Sequence, residues 1–151
     1  MFGGHNIRND EGLQVLFNDG GSGASFISAS KLLDAVAMLP GNDGQQSDAP
    51  QAYAQSKIGA GTTDYNTETW VDLPKHMWRD EWRNMRRPVC PLEPSLYGHP
   101  LLGVFWERHC HQKLREAGFV SIPSWECLFF HPEYKTILSV YVDDFKIAGK
   151  A

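Results

Sequence analysis

Tyr141-Val142-Asp143-Asp144 stands between two largely apolar runs, Ile137-Leu138-Ser139-Val140 before it and Phe145-Lys146-Ile147-Ala148 after it, and the second run closes at Gly149. Two such runs around a short polar pair read as strands joined by a tight turn. Few folds accept that pattern, because it demands a β-hairpin that carries two adjacent carboxylates at its tip. Like charges side by side repel and resist desolvation, so an Asp pair framed by core-forming strands points to a cation that balances it. Asp is also a common turn former, which needs no ligand. The Tyr-Val ahead of the pair and the strands on both sides favour the metal.

At 151 residues the chain has the length of one domain with one core. Apolar content of 42% and aromatic content of 12% suit a globular chain rather than a disordered one. Met1-Phe2-Gly3-Gly4-His5 lacks a basic segment followed by an apolar stretch, and no apolar run approaches the length of a membrane span. The expectation is a soluble intracellular protein, cytoplasmic or nuclear, neither secreted nor membrane-bound. Cys90, Cys110 and Cys127 are odd in number and lack Cys-x-x-Cys spacing, as suits reduced, packed thiols. A zinc site from His109, Cys110, His111 and Cys127 would have a ligand spacing that matches no common pattern.

A net charge of −4 argues against a stand-alone nucleic-acid binder, since phosphate affinity comes largely from Lys and Arg. The charge is uneven along the chain. Residues 1–74 hold three Lys/Arg against nine acids, whereas residues 75–115 hold eight against four. A basic middle segment beside an acidic centre suits a nucleic-acid substrate held near metal ions, although each cation taken singly reads equally well as a solvated surface residue.

Along the chain, residues 19–24 read as a Gly-rich loop, and Ser28 or Ser30 is placed to cap a helix running to about Leu39, with Leu32, Val36 and Leu39 on one face. Pro40-Gly41 ends it, and Gly41 to Gln46 is a polar turn leading to Asp48 and the first turns of a second helix. After a Gly and Thr stretch at 59–63, a short strand is expected at 69–73, and Trp78, Trp82 and Met85 recur at helical spacing. Leu102, Phe105, Trp106, Cys110 and Leu114 sketch a longer helix over 101–117, with Gly118 suited to a left-handed cap. Strands at 127–130 and 136–141 follow, and their short connection favours antiparallel pairing. The architecture expected is α+β, with helices packed on one face of an antiparallel sheet. A cation needs several oxygen ligands, so a third carboxylate is required. Asp48 is the candidate, five residues ahead of Tyr53; the competing reading is a plain helix N-cap before Pro50.

Three blocks now stand in order: Asp48-Ala49-Pro50-Gln51-Ala52-Tyr53, Val89-Cys90-Pro91-Leu92-Glu93-Pro94-Ser95-Leu96-Tyr97-Gly98, and Tyr141-Val142-Asp143-Asp144-Phe145-Lys146-Ile147-Ala148-Gly149. Their order and approximate spacing resemble the reverse transcriptases of copia-type LTR retrotransposons, from about Ala24 to the end of the chain. The resemblance implies the palm of a right-hand polymerase with partial fingers and no thumb, residues 1–47 being the fingers part and entry, and 48–151 the palm core. It implies RNA-directed DNA polymerase activity, that is, two-metal nucleotidyl transfer from a dNTP to the 3′-hydroxyl of a primer on an RNA or DNA template. Asp48, Asp143 and Asp144 would be the catalytic carboxylates holding Mg2+ or Mn2+, with the Ala49 carbonyl as a further ligand. Tyr53 would lie beneath the incoming sugar, and Tyr141 would complete the nucleotide site.

The family's block after Leu-Tyr-Gly commonly continues Leu-Lys-Gln-x-Pro-Arg, but here Leu101 stands for the Gln and Val104 for the Arg, while Trp106 agrees with the family's Trp. The chain also begins beyond the basic fingers strand and stops seven residues after Asp144, before any thumb or ribonuclease H segment, so it reads as a piece of a longer Pol polyprotein of a transposable element. The alternative expectation is a catalytically silent relic that at most binds nucleic acid or a partner. A metal-dependent nuclease is a third class, for which the basic or His residues expected near the Asp pair are missing.

Overall fold

The computed structural model describes residues 7–9, 11–13, 24–58, 69–93, 99 and 101–151. The loop expected at 19–24, apart from Ala24, the stretch 59–63 and the Pro94-Ser95-Leu96-Tyr97-Gly98 part of the second block lie outside them. The fold is mixed α+β. A five-stranded antiparallel sheet has the order β1-β7-β6-β5-β4, formed by β1 (Asn42–Asp48), β4 (Val120–Ser121), β5 (Leu128–His131), β6 (Thr136–Tyr141) and β7 (Asp144–Lys150). Among the described residues three α-helices accompany it, α1 (Ile27–Ala37), the single turn α2 (Ala52–Gln55) and α3 (Leu102–Glu116). A separate antiparallel pair joins β2 (Trp70–Asp72) to β3 (Val89–Pro91).

Because successive side chains of a strand point to opposite faces, β6 and β7 supply two layers at once. Leu138 and Val140 on β6, Phe145 and Ile147 on β7 and Phe129 on β5 join Trp106, Cys110 and Leu114 of α3 in one core cluster. Ile137, Leu128 and Ala148 turn the other way, onto Ala29, Leu33, Val36 and Ala37 of α1. Helices therefore cover both faces of the sheet, not one as the order of elements suggested. The reason lies in the strands: apolar residues at consecutive positions of β6 give two faces to bury, and one helical layer covers one of them. Burying a side chain such as Phe129 or Leu33, both almost fully enclosed, contributes about 1.5–3 kcal/mol each.

α3 follows its sequence pattern closely. Leu102, Phe105, Trp106 and Cys110 are buried along one stripe. Gly118 adopts φ +94°, and the Gly118 and Phe119 amides donate to the Arg115 and Leu114 carbonyls at 3.0 and 2.9 Å, closing the helix in a Schellman arrangement. His131 of β5 completes the cap. Its Nδ1 accepts from the Tyr134 amide at 3.3 Å, so Nε2 carries the proton that is donated to the Ala117 carbonyl at 3.0 Å.

α1 departs from expectation in detail. Phe26, not Ser28 or Ser30, precedes its first turn and no side chain caps it, while Leu32 and Leu39 are exposed and Ala29 and Leu33 form the buried face. Contacts with the sheet fix that rotation. Ala37 lies so close to Gly44 of β1 that a Cβ on Gly44 would stand 2.8 Å from the Ala37 Cβ. Lys146 of β7 reaches Asp34 at 2.6 Å and Ser30 at 3.0 Å, and Ser139 donates to Ser25 across a buried 2.7 Å bond. Trp78, Trp82 and Met85, which recur at helical spacing, do not share one helix; two 3-10 turns, Lys75–Met77 and Asp80–Trp82, occupy this stretch. The indole of Trp78 donates to the Leu73 carbonyl at 2.7 Å, and the backbone is extended at Trp78 and Arg79, so the chain breaks where a helix would continue.

Among the described residues no helix is long and apolar enough to cross a membrane.

Gly118→Ala should destabilise the fold by about 1–2 kcal/mol for the left-handed backbone alone. A Cβ there would also stand 2.7 Å from His131 Nε2, which adds to that cost. Urea denaturation of the single variant and of Gly118→Ala with His131→Ala checks this: the alanine at 118 should cost less in the second background, where the ring is gone.

Candidate functional site

The end of the sheet where β1 stops and the β6–β7 hairpin turns gathers the three aspartates. Gly41 to Gln46, read from sequence as a polar turn, is instead mostly strand: β1 pairs with β7 along its whole length, Asn42 opposite Lys150 through to Asp48 opposite Asp144. Asp48 is accordingly the last residue of a strand rather than the N-cap of α2, whose first turn is entered through Gln51 at φ +54°. Six of the seven residues of β1 are exposed, so backbone pairing with β7 holds this strand rather than burial of its own side chains.

Register fixes what meets at the tip. On β6 and β7, Tyr141 faces Asp144, and on β7 and β1, Asp144 faces Asp48, so the three form one cross-strand row. Gly44 and Lys146 of the same strands contact α1, and by the two-residue alternation the row Asp48, Asp144, Tyr141 belongs to that sheet face, beyond the helix, where all three are exposed. Residues directly opposite on antiparallel strands have Cβ atoms about 4.5–5.5 Å apart, and like charges so placed are destabilising. Asp143 sits in the turn itself, half-buried, and its carbonyl accepts from the Ala49 amide at 2.8 Å. That bond ties the first block of the sequence to the last.

The turn is strained. Val142, a β-branched residue, has φ +56°, a conformation that costs a non-glycine residue on the order of 1–3 kcal/mol and persists only when the surroundings impose it. Here the imposing contact is visible: the indole N–H of Trp106, buried in α3, donates to the Val142 carbonyl at 2.6 Å. Nothing local in the sequence announces this task of Trp106. Its role depends on a contact 36 residues away in the chain.

Tyr53 on α2 is half-buried and packs against the cluster containing Ala52, Trp106 and Val140, as does Ala49. Core packing thus holds Tyr53 on the α3 side of the sheet, the face opposite the row of Asp48, Asp144 and Tyr141. Leu101, where the family has Gln, is buried at the start of α3, and Val104 is half-buried.

The three aspartates offer oxygen donors alone, which suits hard divalent cations such as Mg2+ or Mn2+. Their carboxylate oxygens are not drawn together within 4.8 Å of one another; among the described residues the group that meets that closeness is Glu107, His111 and Cys127. Of the four residues weighed for zinc from sequence, the structure joins His111 and Cys127, whereas the His109 ring lies 6.0 Å from that of Trp106. Glu107 was missed, although its i, i+4 relation to His111 was a legible signal.

No family model, curated protein or solved structure matches this chain.

Trp106→Phe keeps the ring's bulk but leaves the Val142 carbonyl without its donor, and should cost about 1–3 kcal/mol. Chemical denaturation measures it; a change within a few tenths of a kcal/mol would show that the turn holds its shape without the indole.

Proposed function

We propose that this chain carries the palm core of an RNA-directed DNA polymerase of the copia-type retrotransposon class, with Asp48, Asp143 and Asp144 as its metal-binding carboxylates. The observation that carries the reading is the pairing of Asp48 directly opposite Asp144, with Asp143 beside it at the hairpin tip. Nothing in the packing of β1 calls for an acid opposite an acid, and a divalent cation turns that repulsion into binding energy. The Asp triad and the three sequence blocks favour polymerase chemistry over other metal-dependent classes.

In this reading Asp48, Asp143 and Asp144 would hold the cation, the Ala49 carbonyl could add an oxygen, and the Trp106 indole keeps the strained turn in the shape that presents Asp143. Bound Mg2+ or Mn2+ would lower the pKa of the primer 3′-hydroxyl and neutralise charge on the departing pyrophosphate. Tyr53, steadied by the core, would limit the space under the incoming sugar, and the exposed Tyr141 would flank the nucleotide. The template and primer would be held by cations such as the exposed Lys75, Arg79 and Arg86 near the β2–β3 pair. Arg83 and Arg87, engaged with Asp80 and Asp72, are less available.

A second reading, a silent relic that binds nucleic acid or a partner without turnover, is favoured by one observation. Leu101 fills the core at the position where the family's Gln would orient the nucleotide.

Manganese binding measured by electron paramagnetic resonance, together with metal-free stability, tests the site. Asp48→Asn should stabilise the metal-free protein by about 0.2–1 kcal/mol, the size of a cross-strand pair term, while weakening Mn2+ binding at least about tenfold. If Asp48 is an ordinary strand-end residue, neither quantity moves in that direction.

Primer extension, measured with fingers and thumb segments supplied from a related enzyme, separates the two readings. Asp143→Asn should abolish incorporation of both nucleotide types, whereas Tyr53→Ala should raise the ratio of ribo- to deoxynucleotide incorporation. An unchanged ratio in folded Tyr53→Ala would leave Tyr53 a packing residue, whose truncation costs roughly 3–5 kcal/mol.

A further inference from the structure

α3 and the start of β5 hold a second set of metal-ligating side chains, away from the aspartates. Glu107 and His111 are one helical turn apart and share a face of α3. Cys127, immediately before β5, has φ +51°, and its Sγ lies 3.8 Å from His111 Nε2. One ligand atom from each of Glu107, His111 and Cys127 falls within 4.8 Å of the others.

We propose that Glu107, His111 and Cys127 form a zinc site that clamps α3 to the sheet. Carboxylate oxygen, imidazole nitrogen and thiolate sulfur together form a donor set that suits zinc and disfavours magnesium, which prefers oxygen alone. The inference is independent of the polymerase reading, since none of the three residues belongs to the aspartate site.

The surroundings fit such a role. Cys127 is buried, while Glu107 and His111 are half-buried, so the site sits at the margin of the core with one side toward solvent. The His111 ring is oriented by an edge contact with Phe129 at 5.0 Å between centroids. Burial holds the His111 pKa below its ordinary value, which keeps the ring neutral and its lone pair available near pH 7. Metal binding would deprotonate the Cys127 thiol and release its proton to solvent. Cys110 lies on the same helical face, three residues after Glu107, and joins Cys127 in the core cluster.

A bound zinc would link helix to strand across 16 residues of chain, from His111 to Cys127. Because such a site is not preformed in the unfolded chain, zinc should raise the melting temperature in a concentration-dependent way.

The test is titration of the reduced, intact chain with Co2+ and with Zn2+ against a chromophoric chelator. One Co2+ per chain should give a near-ultraviolet thiolate-to-cobalt charge-transfer band, whatever further Co2+ the aspartates take up. Cys127→Ser should abolish the band, and Glu107→Gln and His111→Gln should each weaken Zn2+ at least about tenfold, since even supporting residues around a metal are worth 10–100-fold. Asp48→Asn should leave Zn2+ affinity unchanged, and Glu107→Gln should leave Mn2+ binding at the aspartates unchanged. Absence of a stoichiometric cobalt complex would overturn the proposal, leaving Cys127 and His111 as a thiol–imidazole contact. Zn2+ affinity indifferent to Glu107→Gln would overturn it equally, and because Glu107 lies on the half-buried side of α3, this variant decides the matter if Cys127→Ser fails to fold.

Discussion

The antiparallel ladder between β1 and β7 is the constraint on which the rest of the candidate site depends. β1 has little apolar surface to bury, and what holds it is backbone hydrogen bonding along seven paired residues, together with the close approach of Ala37 to Gly44. A slip of one residue in this register would send Asp48 to the other face and part it from Asp144. Gly44 helps to prevent it: it is the residue of β1 that lets α1 approach, so translation along β7 would bring a bulkier side chain under the helix. The same contact that seats α1 therefore sets where the first aspartate ends.

A second constraint acts from the opposite face. The β6–β7 turn has only Val142 and Asp143 between its paired residues, and Val142 adopts a backbone conformation that its own side chain disfavours. Local propensity would move this turn elsewhere; a hydrogen bond from a tryptophan buried in α3 keeps it. Strain held by a distant donor pre-sets the position of Asp143, and a preset position is what an ion site needs, because ligands already in place lose less entropy on binding. The site is thus assembled from both helical layers: α1 positions β1, and α3 positions the turn.

The two candidate metal sites differ in kind. At the sheet end the donors are carboxylates on exposed backbone, repelling one another across a strand pair. Between α3 and β5 the donors are mixed, one of them is buried, and one ligand atom of each lies within 4.8 Å of the others. The first suits an ion that shares its coordination with a substrate. The second suits a cross-link between elements.

Elements whose signals are local were legible in the sequence. The hairpin strands, the buried stripe of α3 and its Gly118 cap follow from alternation, helical spacing and a left-handed glycine, each of which acts within a few residues. The Asp pair at the hairpin tip belongs with them. What the tertiary structure alone decided is how these pieces meet. β1 is polar almost throughout, so its identity as a strand comes from the exposed edge of β7, and no periodicity announces it. Which face of α1 is buried was settled by Gly44, Lys146 and Ser139 rather than by the spacing of leucines. Asp48 came to lie opposite Asp144, and Cys127 beside Glu107 and His111, through pairings between residues remote in sequence. Backbone hydrogen bonds join any residue types, so a sequence states which residues are available to a site, while register and packing determine which of them meet.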